Sequence, residues 1–427
     1  MNRRQFLTAA AGIAIAVGVP ACAATGSKAR AQSAVAVTRV FGNGMNLVAV
    51  AVKYSHAVQA AALQAEDFSV NGFTISRVYT SDSADGKPLP QGRYVIIAIK
   101  PQTLVVKNKP SAAQQVQNTK GKGPGTAGDV KESAPSLAGR NVAVTVQGQS
   151  LTAAISLNEA FDDFKQFEFY DKATGKTVRY NLFAPKNQTA GERYPLVLFM
   201  HDAGVTGKNN APLAALYQGN GATAWAEPAA QAKNPCFVLA PQFDEIIADD
   251  QSQTSDYLDA TLNLIRDLET RYAIDPARRY TTGQSSGGMM SIAMNVKYPD
   301  FFAATYLVAC QWNPAVVAPL AKNKIWITVS QDDSKAYPGQ TAIVEVLAKH
   351  GAKVARGEWN AQWSAAEFQT AFDKMDAQQA NINFVSFEKG TVFTEGESAA
   401  GAGGHTNTWQ YAYNIAPVRE WIFRWHK

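Results

Sequence analysis

Gly283-Gln284-Ser285-Ser286-Gly287-Gly288 constrains this chain more than any other stretch. It lies between a strand-like lead-in, Tyr280-Thr281-Thr282, and an apolar helical pattern from Met289 to Val296. A serine between glycines at such a junction fits a sharp strand-to-helix turn that pushes its Oγ clear of the backbone. The turn is crowded, so a Cβ on a flanking residue would collide with the neighbouring strand or helix. The following helix aims its first N–H groups at the serine, which favours negative charge developing beside it. In a chain with 31 glycines a bare G-x-S-x-G is a weak signal. The strand before it and the helix after it are what make Ser285 a candidate nucleophile.

The rest of the chain supplies a setting for such a turn. From Gln166 onward, strands and helices alternate. Phe167–Tyr170 and Val178–Leu182 flank Ala173-Thr174-Gly175-Lys176 as a hairpin. Leu196–Met200 and Phe237–Ala240 are continuous apolar runs, the mark of strands buried on both faces. Tyr257–Arg271 carries Leu258, Leu262, Ile265 and Leu268 on one helical stripe, with Thr254 or Ser255 as N-cap. Strands are expected at Thr305–Ala309, Ile325–Val329 and Ile382–Phe387, and a helix at Ala342–His350 closed by Gly351. Alternation of this kind predicts an α/β domain, a mostly parallel sheet with helices on both faces, over residues 158–427.

Residues 32–157 read differently. Leu47–Tyr54, Arg93–Ile99 and the period-two run Asn141–Val146 are strands, and no helix beyond a short turn within Ala57–Asp67 is expected. This is a small β-sandwich, with the linker near Asn158–Phe164. His56 is its only histidine, so it supports or shields a site and does no chemistry. Lys109–Arg140 interrupts it with Gln, Lys, Gly, Pro, Ser and Ala and almost no large apolar residue. Such a stretch buries too little to offset its ordering entropy, so it is expected to be a disordered, dispensable loop.

Residues 1–31 stand apart from the fold. Arg3-Arg4-Gln5-Phe6-Leu7 is a twin-arginine pattern, the apolar run Ala9–Val19 is too short to span a bilayer, and Ala29-Arg30-Ala31 is a small-residue cleavage site. Cleaved export to the periplasm or the medium is the expectation. Lipid anchoring at Cys22 is disfavoured by Pro20 just before it. The formal charge of +5 then loses its meaning. Arg3, Arg4, Lys28 and Arg30 belong to the leader, and the 36 basic residues that remain face 35 acidic ones. That balance leaves no electrostatic footprint for nucleic acid. Cys236 and Cys310 fall on strands not expected to be neighbours, too far apart for a disulfide.

A serine hydroxyl needs a base, and the base needs an orienting acid. His405, in Gly403-Gly404-His405-Thr406-Asn407 after the last core strand, is the candidate base. His350 sits at a helix end and His426 near the end of the chain. For the acid, the strand Ile325–Val329 runs into Ser330-Gln331-Asp332-Asp333, where Asp333 is preferred over Asp332, with Glu395 and Glu397 as outsiders. An oxyanion hole takes two backbone N–H groups. Ser286 gives one, and the loop after Met200 gives the other, from Ala203 with Asp202 second. His201 is expected to brace that loop. Gln311 and Trp312, just past the strand ending at Cys310, are candidate substrate-binding residues, although Trp312 is equally suited to packing.

These residues resemble the exported α/β-hydrolase esterases with an N-terminal immunoglobulin-like domain, often described as predicted peptidases. The resemblance is carried by Tyr194–Gly204, by Val238–Gln242, by Ile274-Asp275-Pro276 through Gly288, and by His405–Trp409 with Val418–Phe423. It implies an α/β-hydrolase fold, Ser285 as nucleophile, Asp333 as acid and His405 as base. It also implies hydrolysis of a carboxylic ester, small or polymeric, without cofactor or metal. The chain departs from the family at His201-Asp202, where the usual pair is His-Gly. A side chain there is expected to reshape the hole or narrow the acyl pocket. The same residues would serve a peptidase or amidase, and an inactive cell-envelope binding protein is a further alternative. Acyl length and oligomeric state are not written in the sequence.

Overall fold

The computed structural model describes residues 29–107, 125–138, 141–207, 214–397 and 402–427. The expectations about the twin-arginine pattern, the apolar run and Cys22 fall outside these residues, as do 109–124 and 139–140 of the insertion.

The N-terminal part is built from β1 (Ala31–Phe41), β2 (Gly44–Gln59), β3 (Phe68–Val70), β4 (Ile75–Ser81), β5 (Gln91–Thr103), β6 (Val105–Val106), β7 (Ser136–Leu137), β8 (Val142–Val146), β9 (Gln149–Ala153) and β10 (Ile155–Leu157). They form a five-stranded sheet in the order β10-β1-β2-β5-β4, a three-stranded sheet β3-β8-β9 and the pair β6-β7. Val142, Val144 and Val146 alternate inward, as period two requires, and join Val50, Val52, Val95 and Ile97 in one buried cluster. The short turn of helix is a pair of 3₁₀ turns, Ala60–Ala62 and Ala65–Asp67.

Part of the insertion departs from expectation. Residues 125–138 are ordered; β7 pairs with β6, and the rest of the order comes from the other domain. Gly128 N–H donates to Ile246 O and Ile246 N–H to Asp129 O, both at 2.9 Å, and Tyr217 Oη donates to Pro135 O at 2.6 Å. Composition reports only the core a segment can make for itself, and this one is held by hydrogen bonds to a neighbour.

The second domain holds β11 (Lys165–Asp171), β12 (Lys176–Phe183), β13 (Tyr194–Met200), β14 (Phe237–Gln242), β15 (Ile274–Gln284), β16 (Ala304–Val308), β17 (Ile325–Ser330), β18 (Val354–Trp359) and β19 (Ile382–Phe387). They make one nine-stranded sheet in the order β11-β12-β14-β13-β15-β16-β17-β19-β18. The hairpin β11–β12 and the β12–β14 pair are antiparallel, and every pairing from β14 to β18 is parallel. Every residue of β13, β14, β16, β17 and β19 is buried, which is why these strands read as unbroken apolar runs. Parallel strands put their carboxyl ends on one edge, so the loops after β13, β15, β17 and β19 gather there.

Three local readings are corrected. The helix Tyr257–Arg271 starts from Asp256, whose side chain makes no cap, while Ser255 one residue earlier accepts Tyr257 N–H on its Oγ at 3.4 Å and Leu258 N–H on its carbonyl at 3.1 Å. The helix expected at Ala342–His350 begins earlier, at Ala336. Pro338 and Gly339 look like breakers, but proline is tolerated in a first turn, where its missing N–H has no intrahelical partner. Edge strand β18 and the helix Ala365–Asp376 have no counterpart in the sequence reading. The helix opens on a capping box between Ser364 and Glu367. It packs near Trp326, which is fully buried, stacks on Phe372 at 5.4 Å and meets Trp421 edge-on at 5.6 Å. Such pairs add roughly 0.5–1.5 kcal/mol beyond burial.

Candidate active site

Ser285 follows β15, the fifth of nine strands, and is the residue before the helix Ser286–Lys297. Its backbone is at φ 52°, ψ −122°, a conformation that costs a non-glycine residue about 1–3 kcal/mol. The glycines show what the turn demands. A Cβ on Gly283 would lie 2.4 Å from Gly287 C, and one on Gly287 would lie 2.0 Å from Met200 O. Only hydrogen fits there, so strand, turn and helix approach closely enough to lift Ser285 out of the sheet edge.

Two further side chains complete a chain of hydrogen bonds. His405 Nε2 lies 2.9 Å from Ser285 Oγ, and His405 Nδ1 is in close contact with Asp333 Oδ2. A carboxylate only accepts, so the ring proton sits on Nδ1 and Nε2 is left to accept from the serine hydroxyl. Asp333 is 4% exposed, and its Oδ1 accepts from Ala336 N–H at 2.9 Å and Lys335 N–H at 3.1 Å. Burial alone would raise this carboxyl. The hydrogen bond and charge of His405 and the two backbone N–H groups outweigh it and hold Asp333 below the ordinary carboxylate range. Asp332 is turned away, accepting from Gly390 N–H at 2.7 Å, and Glu397 accepts from Thr394 N–H at 2.8 Å. His405 lies in the first turn of the helix Gly403–Ala412, not in the loop before it, and its ring meets Trp409 edge-on at 5.1 Å. His350 bonds Val346 O at a helix end.

The loop after β13 faces this row. Ala203 begins the 3₁₀ turn Ala203–Val205 and Ser286 begins its helix, so neither N–H has an acceptor within its own turn. His201, 1% exposed, accepts Phe243 N–H on Nε2 at 3.0 Å and contacts Asp202 O through Nδ1 at 2.7 Å. Burial pushes its pKa down, only partly offset by Asp202, and the neutral ring braces the loop. The Asp202 side chain turns inward: Oδ1 accepts from Gly204 N–H at 2.8 Å and Oδ2 from Gln284 Nε2 at 2.9 Å. The carboxylate thus ties the loop to the residue before Ser285, a role for Gln284 that the elbow pattern alone does not reveal. Gln311 donates to Asp250 Oδ1 at 2.7 Å, and Asp250 also pairs with Lys335 at 2.6 Å. Trp312 is buried with Met289, Met290 and Leu320. Cys236 and Cys310 are both free and buried. Among the described residues, no group of three His, Cys, Asp or Glu is placed to hold a metal ion, and no helix is long and apolar enough to cross a membrane.

A strained serine turn at the centre of a mostly parallel sheet, with Asp333 on a later loop and His405 in the first turn of a later helix at the same edge, defines an α/β-hydrolase fold, here preceded by an immunoglobulin-like domain. Residues 172–409 match the family described as "Putative esterase", and the chain belongs to that family. Residues 33–154 match the esterase Ig-like N-terminal domain. A crystal structure of a thermostable esterase shares the fold, with a TM-score of 0.73 and 23% identity, covering 93% of this chain and all of the other. The poly(3-hydroxybutyrate) depolymerase of Ralstonia pickettii is 27% identical over 162 residues, which is 37% of this chain and 30% of the depolymerase.

Proposed function

We propose that the protein is a serine carboxylesterase that works through an acyl-enzyme. The carrying observation is the Ser285–His405–Asp333 row at the tip of a strained elbow. Ser285 Oγ attacks the ester carbonyl carbon while His405 Nε2 takes its proton. Asp333 holds the Nδ1 proton and offsets the charge of the imidazolium. The carbonyl oxygen, now an oxyanion, accepts hydrogen bonds from Ala203 and Ser286 N–H, with the helix dipole behind Ser286. The C–O bond breaks, His405 returns the proton to the leaving alkoxide, and Ser285 is left acylated. Water then repeats the cycle, with His405 as base and then as acid, and releases the carboxylic acid. Gln311, held on this edge by Asp250, lines the acyl site, while Trp312 packs behind it.

The family and the depolymerase relative support an ester as substrate, small or polymeric. The twin-arginine pattern supports export, which fractionation of the expressed chain tests. The mechanism is tested by a fluorophosphonate and by a series of nitrophenyl esters set beside a peptide anilide. Labelling of Ser285 and a loss of roughly 10⁴–10⁶ in ester turnover for Ser285→Ala are expected. Labelling at Ser286, or undiminished turnover, refutes the assignment, and anilide cleavage matching ester cleavage would make the enzyme an amidase.

A further inference from the structure

Residues 125–138 belong to the stretch matched by the Ig-like domain, yet they run along the catalytic domain. Val130 bridges Glu245, Lys131 N–H donates to Asp244 O at 3.2 Å, and Ala127 N–H donates to Asp249 Oδ2 at 3.0 Å. At Ser133 the strap reaches the loop that carries Ala203. Ser133 Oγ lies 3.0 Å from Ala203 O and 3.2 Å from Thr206 O. The N–H groups of Ser133 and Ala134 both donate to Thr206 O, at 2.8 and 3.0 Å, and Ala134 is fully buried.

One peptide is therefore pinned from two sides. Ser133 Oγ holds the oxygen of the Ala203–Gly204 peptide, and Asp202 Oδ1 holds its N–H. With that plane fixed, the backbone of Ala203 has little freedom, and the direction of its own N–H is set.

We propose that Ser133 is a positioning residue for ester hydrolysis, acting through the Ala203 carbonyl to keep the Ala203 N–H aimed at the developing oxyanion. The proposal rests on the reading of Ser285 as nucleophile and Ala203 as oxyanion donor. Lys131 lies on the same strap, where burial pushes its ammonium pKa down and the Asp202 carboxylate only partly offsets that.

Ser133→Ala removes the hydroxyl and keeps the strap's backbone bonds to Thr206. Losing an oxyanion donor outright costs about 10²–10³ in rate, and loosening one by a single hydrogen bond should cost about tenfold in kcat, with KM within about twofold. The thermal midpoint should fall by only about 2–4 °C. A trifluoromethyl ketone, which forms the oxyanion adduct, should bind weaker by the same factor as kcat falls, and Ser133→Thr, which restores a hydroxyl, should recover most of both. Unchanged kcat, or a loss that appears in KM, leaves ketone affinity intact or is not recovered by threonine, overturns the proposal. Fluorophosphonate labelling of the parent chain separates the two levels: labelling away from Ser285 removes the underlying reading, whereas labelling at Ser285 with an indifferent Ser133→Ala removes only this inference.

Discussion

The elbow's strain can be measured by comparing two variants that lack the Ser285 hydroxyl. Ser285 sits at φ 52°, ψ −122° because its neighbours force it there. Ser285→Ala and Ser285→Gly both lose the hydroxyl and its hydrogen bond to His405, so that loss cancels between them. They differ only in the Cβ. Alanine keeps the strain of about 1–3 kcal/mol, and glycine relieves it. Glycine also makes the unfolded chain more disordered, a cost of about 0.5–1 kcal/mol. The glycine variant should therefore be more stable than the alanine variant by roughly 0.5–2 kcal/mol. Guanidinium unfolding followed by tryptophan fluorescence reads this as a higher midpoint at equal slope, because slope tracks the surface exposed on unfolding. A glycine variant less stable than the alanine variant by about 0.5–1 kcal/mol, the entropy cost alone, would show that the elbow stores no strain at Ser285, and that its geometry is ordinary for a residue with a Cβ.

Asp333→Asn should lower kcat by about 10⁴ through the wrong histidine tautomer, with Asp332→Asn nearly neutral, and the reverse ranking in ester turnover would reassign the acid. Because the fold holds Asp333 below the ordinary carboxylate value near ~3.9, its ionised form stabilises the native state above that pH, and this contribution is lost as pH falls through the lowered value. Thermal midpoints of the parent and Asp333→Asn measured from pH 6 downward should therefore converge in acid, and parallel curves would contradict the assigned environment. Gly287→Ala forces a Cβ to 2.0 Å from Met200 O, a backbone atom that cannot swing aside, so a loss of about 3 kcal/mol or more in guanidinium unfolding is expected, and an unchanged midpoint would refute the close approach.

The three side chains that the fold brings together, Ser285, His405 and Asp333, were legible in the sequence because each is tied to a strong backbone signal. Ser285 has its glycines, Asp333 follows a fully buried, mostly apolar strand, and His405 sits in a glycine-rich stretch after the last core strand. Local periodicity also marked the buried parallel strands, since burial on both faces leaves an unbroken apolar run. Edge strand β18, Val-Ala-Arg-Gly-Glu-Trp, pairs only with β19 and exposes Arg356 and Glu358, so it carries neither a run nor a clean alternation. The side chain of Asp202 was readable as a departure, but its target was not. Beside the expectation that a side chain there reshapes the hole or narrows the acyl pocket, the carboxylate is found turned inward onto Gly204 N–H and Gln284, because hydrogen-bond direction depends on how two loops meet. The ordered half of the insertion escaped for the same reason, since the partners of Ala127 and Ser133 lie 70 or more residues away, on the other domain.

Those distant partners divide the labour between the domains. Ser285 and Asp333 are placed by the central strands of the catalytic sheet and by turns that follow them directly. The other two functions lean on the Ig-like domain. Its strap holds the loop of Ala203, and the turn between β1 and β2 presses on the helix that begins around His405, where a Cβ on Gly42 would lie 2.1 Å from Gln410 O. The apolar interior joins the two as well, since Val50 and Val52 belong to one continuous cluster with Phe199, Tyr413 and Trp421. A continuous core of that kind makes the pair behave as one packed body rather than as a domain on a tether. The sandwich contributes no reacting group. It fixes the two elements that a sheet edge alone leaves as loop and helix end, which carry the proposed oxyanion donor and the proposed base, and under the proposed mechanism these are the parts whose alignment must hold while charge develops on the substrate.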